Sequence, residues 1–153
     1  MEDTVQVIAI NNPTKLIGKV FTGSYSGASS YVSAVQNELA SAQIPFIPYK
    51  ICGIYYDNPE VTPADEQRSF QGVVTEGNTD LSETSLTAID MLGTFLYTRV
   101  TGDPMQAIMK GYGDLFAYIH ARQTKLKSNA GYQILTFNEG LVTTEIYMEI
   151  SED

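Results

Sequence analysis

The chain has 153 residues, 43% of them apolar, and a formal net charge of −9. That length supports one well-packed core or two small fused halves. The acidic balance argues against a nucleic-acid partner, which needs clustered Lys and Arg to displace counterions. A single cysteine, Cys52, and a single histidine, His120, cannot complete a tetrahedral zinc site, so neither metal nor cofactor is expected.

No apolar run is long enough to span a membrane. The acidic start, Met1-Glu2-Asp3, lacks the basic and apolar blocks of a secretory signal, and the lone thiol fits a reducing cytosol. Ten Tyr and six Phe without any Trp make a tyrosine-rich chain, and tyrosine is favoured where one end of a side chain is apolar and the other wet.

In chain order, Thr4 to Ile10 reads as a strand, Asn11-Asn12-Pro13 as a turn, and Lys15 to Thr22 as a second strand. Gly23 to Gly27 breaks the run, with a serine as helix cap. Ala28, Val32, Val35 and Leu39 recur at helical spacing and predict a helix to about Ala42. Tyr49 to Tyr56 and Gln67 to Thr75 read as strands, the latter with Arg68, Phe70, Gly72 and Val74 on one face.

The halves divide near Gly77, giving spans 1–77 and 78–153. Leu86 to Met91 and Gly93 to Val100 read as two further strands. Asp103 as cap and Pro104 at the first helical position start a second helix. Its expected buried stripe is Met105, Ile108, Met109, Tyr112, Phe116 and Ile119, and its cationic end carries Arg122, Lys125 and Lys127 before Asn129-Ala130-Gly131. Tyr132 to Phe137, a turn at Asn138-Glu139-Gly140, and Thr143 to Ile150 complete the second half.

The same order of elements in both halves predicts an α+β fold of duplicated β-β-α-β-β units, with antiparallel sheet, two long helices and a central cleft. Thr22-Gly23 matches Thr101-Gly102, Pro48 to Ile51 matches Gly131 to Ile134, and Arg68-Ser69-Phe70 matches Glu145-Ile146-Tyr147. Clefts between repeats are preferred ligand sites. In the last strand Ile146, Met148 and Ile150 alternate with Glu145, Tyr147 and Glu149, which sets a carboxylate beside a ring on one face. An Arg68–Glu145 pair across the seam is the structural alternative.

Four stretches carry a family resemblance. They are Phe21-Thr22-Gly23-Ser24-Tyr25; Gly53 to Pro59 followed by Asp65-Glu66-Gln67-Arg68; Gly93-Thr94-Phe95 running to Val100-Thr101-Gly102; and Glu145-Ile146-Tyr147. Taken in order, they resemble the GyrI-like small-molecule-binding domain, which also forms the effector module of some AraC-type and MerR-type multidrug regulators. The resemblance implies two fused units with a ligand cleft between them. It also implies a last-strand glutamate, here Glu145, that meets cationic hydrophobic compounds, with aromatic walls. The chain departs from the pattern in having no tryptophan, and in carrying Glu149 where a proline is common. No helix-turn-helix accompanies it, so a stand-alone domain is expected.

The candidate ligand-binding residues are therefore Glu145, Tyr147, Tyr112, Phe95, Tyr55 and Phe70. Gly111 and Gly113 flank Tyr112 inside a helix, where each costs roughly 1 kcal/mol relative to Ala, so close packing or ligand space is expected there. A desolvated carboxylate among rings costs several kcal/mol unless paired, and an incoming cation recovers that cost. The reading is a domain that senses or sequesters an amphipathic cation. No nucleophile–base pair is visible, so no catalytic residue is assigned. Two alternatives stay open: hydrolysis of reactive electrophiles using the glutamate, and action on a protein partner as in the gyrase-directed members.

Overall fold

A first strand, β1, runs unbroken from Gln6 to Thr22 and organises the fold. It is followed by α1 (Ala28–Ser41), β2 (Lys50–Tyr55), β3 (Arg68–Thr75), β4 (Thr87–Thr101), α2 (Pro104–Arg122), β5 (Gly131–Asn138) and β6 (Leu141–Glu149). The computed structural model describes residues 5–76 and 78–151. Thr4, at the start of the expected first strand, and Gly77, at the expected boundary, lie outside the described residues.

The six strands are antiparallel and close in the order β1-β3-β2-β5-β6-β4, with β1 pairing back to β4. The fold is α+β, with two helices on the outside. The two expected hairpins are instead single long strands. Residues 6–10 of β1 pair with residues 93–97 of β4, and residues 14–18 pair with residues 87–91. Asn11-Asn12-Pro13 is thus absorbed as a bulge between Ile10 and Thr14, because Pro13 has no amide proton for a ladder but can bend one. Gly93 stands opposite Ile10 with φ +127° and bends β4 at the same level. Each half is therefore β-α-β-β.

The ladders also set the correspondence between halves. Thr22 pairs with Arg68 as Thr101 pairs with Thr143, so Phe70, opposite Val20, occupies the place of Glu145, opposite Arg99. Arg68 therefore corresponds to Thr143 and Phe70 to Glu145, two residues away from the alignment of Arg68-Ser69-Phe70 with Glu145-Ile146-Tyr147 expected from the sequence. Arg68 is held elsewhere, by a forked contact to Asp57 (Nη2 to Oδ1 3.1 Å, Nε to Oδ2 3.2 Å), so the Arg68–Glu145 pair does not form.

The strands bury both faces. Inside the barrel lie Leu16, Cys52, Ile54, Phe70, Val74, Met91, Phe95, Ile134 and Tyr147. Outside, α1 sets Val35 and Leu39 on Ile17 and Val73, and α2 sets Leu115 on Leu96, Ile146 and Met148. Asp103 caps α2 by accepting from the Gln106 amide at 3.1 Å, with Pro104 behind it.

The expected stripe of α2 is corrected. Its buried face is Ala107, Gly111 and Leu115, whereas Met105, Met109 and Phe116 are exposed. Small residues let the helix lie close to the sheet, and a Cβ on Gly111 would strike Ile146 and Thr98. The helix also ends early, at Arg122, with Gln123 left-handed. Lys125 and Lys127 then run beside β6, where Lys127 N donates to Glu149 O at 2.8 Å and Ser151 N to Lys125 O at 2.9 Å. Among the described residues, no helix is long and apolar enough to cross a membrane.

Candidate functional site

Strict alternation along β6 sorts its side chains. Ile146 and Met148 face α2, and Tyr147 joins the barrel interior with Glu145 and Glu149 in phase with it. Ile146, on β6, stands opposite Thr98, and Tyr147 stands opposite Tyr97 on β4. Directly opposed residues point to the same side, so Tyr97 meets Glu145 and Tyr147 inside the barrel.

Their contacts make a compact polar cluster on an aromatic floor. Tyr97 Oη donates to Glu145 Oε2 at 2.7 Å, and Tyr147 Oη donates to the same oxygen at 3.2 Å. The two rings lie 4.9 Å apart, Tyr147 meets Phe95 edge-on at 6.0 Å, and Phe95 meets Tyr132 edge-on at 5.6 Å. Burial first, and then the neighbouring Glu145 charge, push both Tyr97 and Tyr147 hydroxyls well above the ordinary tyrosine range. Both phenols therefore stay protonated and remain donors at neutral pH.

Glu145 is half-buried, and exposure rises from Phe95 through Tyr97 to the exposed Arg99 that stands opposite it. The carboxylate thus sits where the packed interior opens toward solvent. Its second oxygen, Oε1, is engaged by neither tyrosine. A half-buried carboxylate edged by rings can take a cation through charge, through ring faces and through apolar contact together.

Of the sequence candidates, Glu145, Tyr147 and Phe95 come together here. Phe70 joins the same interior core, fully buried, at Glu145's counterpart position. Tyr55 and Tyr112 lie on the helix-covered face. Tyr55 stands edge-on to Tyr25 at 4.9 Å, while Tyr112 Oη accepts from Gln133 Nε2 at 3.0 Å and its ring packs along Phe116. Burial raises the Tyr112 hydroxyl to about 12. The structure does not bring these two rings to Glu145.

Two residues of this cluster lie outside the sequence candidates: Tyr97 and Tyr132. Tyr97 follows Phe95 by two residues in a strand, so period two alone places it on Phe95's face. Cys52 is enclosed in the barrel, where burial pushes its thiol far up, and His120 is exposed on the last turn of α2.

No protein-family model matches the chain, and no curated protein matches it in sequence. Its fold is shared with solved structures of low identity. The crystal structure of the EcmrR C-terminal domain matches with a TM-score of 0.71 at 14% identity, covering 100% of both chains. SAV2435 bound to tetraphenylphosphonium matches with a TM-score of 0.63 at 16% identity, covering 99% of this chain and 95% of that one. The integron cassette protein VCH_CASS2, from the mobile metagenome of Vibrio cholerae, matches with a TM-score of 0.61 at 13% identity, covering 97% and 96%.

Proposed function

We propose that the chain is a small-molecule-binding domain that takes amphipathic organic cations at the mouth of its barrel, sensing or sequestering them. The observation that carries this is Glu145, half-buried, with two tyrosine hydroxyls on one oxygen and a run of four rings beside it. Two donors offset part of the desolvation cost of the carboxylate while leaving its charge in place. A cation that enters recovers the rest and gains contact with Tyr97 and Tyr147. The shared fold of SAV2435, which holds tetraphenylphosphonium, lends weight to this ligand class.

Binding is preferred to hydrolysis in the same place. The only thiol is sealed inside the barrel with a raised pKa, and the only histidine is exposed on α2. Neither stands at Glu145, so hydrolysis there would have to use the carboxylate itself on a water, and a turnover assay with reactive electrophiles separates that reading from binding.

The test is a calorimetric titration of tetraphenylphosphonium into wild type and Glu145→Gln. Glutamine keeps an acceptor for the two hydroxyls and removes only the charge. Tetraphenylphosphonium donates no hydrogen bond, so its contact with the carboxylate is Coulombic, about 2–3 kcal/mol at ~6 Å and an effective dielectric near ~20, and the variant should bind about 10-fold to 100-fold more weakly. Equal affinities remove Glu145 from the mechanism.

A further inference from the structure

Helix α2 carries two apolar stripes, and the sheet takes only one of them. Ala107, Gly111 and Leu115 meet the strands. Met105, Met109, Tyr112, Phe116 and Ile119 follow one another at spacings of 4, 3, 4 and 3 residues. That spacing is the seam of a helix that packs on another helix. Tyr112 and Ile119 are half-buried at the border of the sheet contact, whereas Met105 is 73%, Met109 71% and Phe116 52% exposed.

The fold itself asks for no such face. In the other half, α1 turns Ser29, Ser33, Asn37 and Ser41 to solvent. At about 150–250 Å² for a large side chain, the three exposed residues of α2 leave about 400 Å² of apolar surface open, a patch of the size that marks an interaction site. A specific interface takes about 800 Å² from each partner, so the stripe supplies a core and the neighbouring positions of the helix supply a rim.

Gly113 lies beside the stripe on its exposed side. A Cβ there would have nothing within 4 Å, and its backbone is not left-handed. Nothing within the chain therefore calls for glycine, although it costs the helix roughly 1 kcal/mol relative to alanine. A glycine on an exposed helix face lets a second backbone come close.

Charge stands clear of the same strip. Lys110 and Asp114 pair with each other at 2.6 Å, and the stripe is flanked on its exposed side by Gln106, Gly113 and His120. A chain with a formal net charge of −9 repels its own copies over most of its surface. This strip adds no carboxylate to that repulsion.

We propose that α2 packs antiparallel on α2 of a second copy, across a two-fold axis that passes by Gly113, to form a homodimer. Such an interface uses the same patch twice, and the positions answer one another. Gly113 meets the second copy's Gly113, Phe116 lies beside its Tyr112, Met109 beside its Ile119, and Gln106 beside its His120. The surface is outside the barrel, away from Glu145, so the dimer does not depend on the cation-binding reading.

Sedimentation velocity of the intact chain over a concentration series tests this. The expected result is a reversible monomer–dimer equilibrium with a dissociation constant of about 10–100 μM, as suits a small interface. Met109→Lys, at an exposed position, should weaken the dimer about tenfold or more with unchanged circular dichroism. Gly113→Leu should weaken it as much, because the leucine holds the two backbones apart even though it makes the surface more apolar. Under mild oxidation, Gly113→Cys should cross-link into a dimer and Met105→Cys should not, since only a residue at the axis meets its own copy. Cys52 is buried and takes no part.

A chain that stays monomeric up to about 1 mM overturns the proposal. So does a dimer that Gly113→Leu leaves unchanged or tightens, which is the behaviour of nonspecific apolar adhesion. Preferential cross-linking through Met105→Cys requires parallel helices and overturns it as well. Loss of tetraphenylphosphonium binding in Met109→Lys, with wild type monomeric, assigns the stripe to the ligand and not to a second copy.

Discussion

The two halves of the barrel place opposite things at matching positions. Where β4 and β6 set Tyr97 against Tyr147, β1 and β3 set Gly18 against Gly72. Where the second half has Glu145, the first has Phe70, with none of its surface exposed. The glycine wall is closed. A Cβ at Gly18 would meet the Gln71 carbonyl oxygen, and one at Gly72 would meet the Ile17 carbonyl oxygen. The tyrosine wall is open at its end, polar, and able to hold a charge. Equivalent positions are thus used differently, for close packing in the first half and for a half-buried carboxylate with two tyrosine donors in the second.

Moving the charge across is the severest way to break this contrast. Phe70→Glu puts a carboxylate where there is no solvent and where Gly72 stands in place of a tyrosine donor. An uncompensated buried charge should cost about 4 kcal/mol. Urea unfolding at neutral pH measures it, and part of the loss should return in acid as the carboxyl is protonated. A loss below about 1 kcal/mol would mean that the first half also opens to water.

Gly72→Ala comes next. The added methyl meets backbone, which cannot swing aside, so β1 and β3 must part. The expected cost is about 3 kcal/mol. The same substitution at Gly113, where a Cβ has nothing within 4 Å, should be neutral or stabilising through helix propensity.

The legible parts of the chain were those where one local rule decides. Asp103-Pro104 started α2 as written, and Asn138-Glu139-Gly140 turned the last hairpin, with Glu139 and Gly140 both at positive φ. The alternation in β6 separated Glu145 and Tyr147 from Ile146 and Met148, because only one of its faces is polar. β2 offered no such contrast. Ile51, Cys52, Ile54 and Tyr55 are apolar on both faces, since one face meets the barrel core and the other lies under the helices. Tyr55 could not be assigned a side from that pattern. Hydrophobicity misled in α2, where Met105, Met109 and Phe116 outweigh Ala107 and Gly111 on any scale, yet the small residues are the ones that allow contact with the sheet. The bulge at Asn11-Asn12-Pro13 has the same composition as a turn, and only pairing with β4 distinguishes them.

Alkaline pH separates the two walls more gently. Burial and the Glu145 charge raise Tyr97 and Tyr147 above the unfolded value of about 10. The neutral phenols therefore add stability that is complete below pH ~10 and is lost as pH rises through the folded values. The glycine wall has nothing to titrate. Tyr97 and Tyr147 together should account for about 2 kcal/mol of the fall in stability between pH ~9 and ~11, allowing for partial exposure, on top of the share of the other buried tyrosines such as Tyr55 and Tyr112. Part of the phenolate absorbance should appear only together with the loss of circular dichroism. In Glu145→Gln the fall should be shallower, because one cause of the raised values is gone. Identical slopes in both proteins would assign the shifts to burial alone.

The smallest expected effect isolates a single hydroxyl. Tyr97 and Tyr147 both donate to Glu145 Oε2, but the Tyr97 bond is shorter, 2.7 Å against 3.2 Å. Tyr97→Phe should destabilise the free protein by about 1 kcal/mol, and Tyr147→Phe by less. The same change should act on ligand binding in the opposite direction. With one donor removed, Glu145 is less well compensated before a cation arrives, so the cation relieves more, and the ring face that it meets is retained. Tetraphenylphosphonium should therefore bind Tyr97→Phe about threefold tighter, a gain of about 0.6 kcal/mol. Stability falling while affinity rises identifies Tyr97 as a stand-in for the ligand's charge. Affinity falling together with stability would instead make its hydroxyl part of the ligand's own contact.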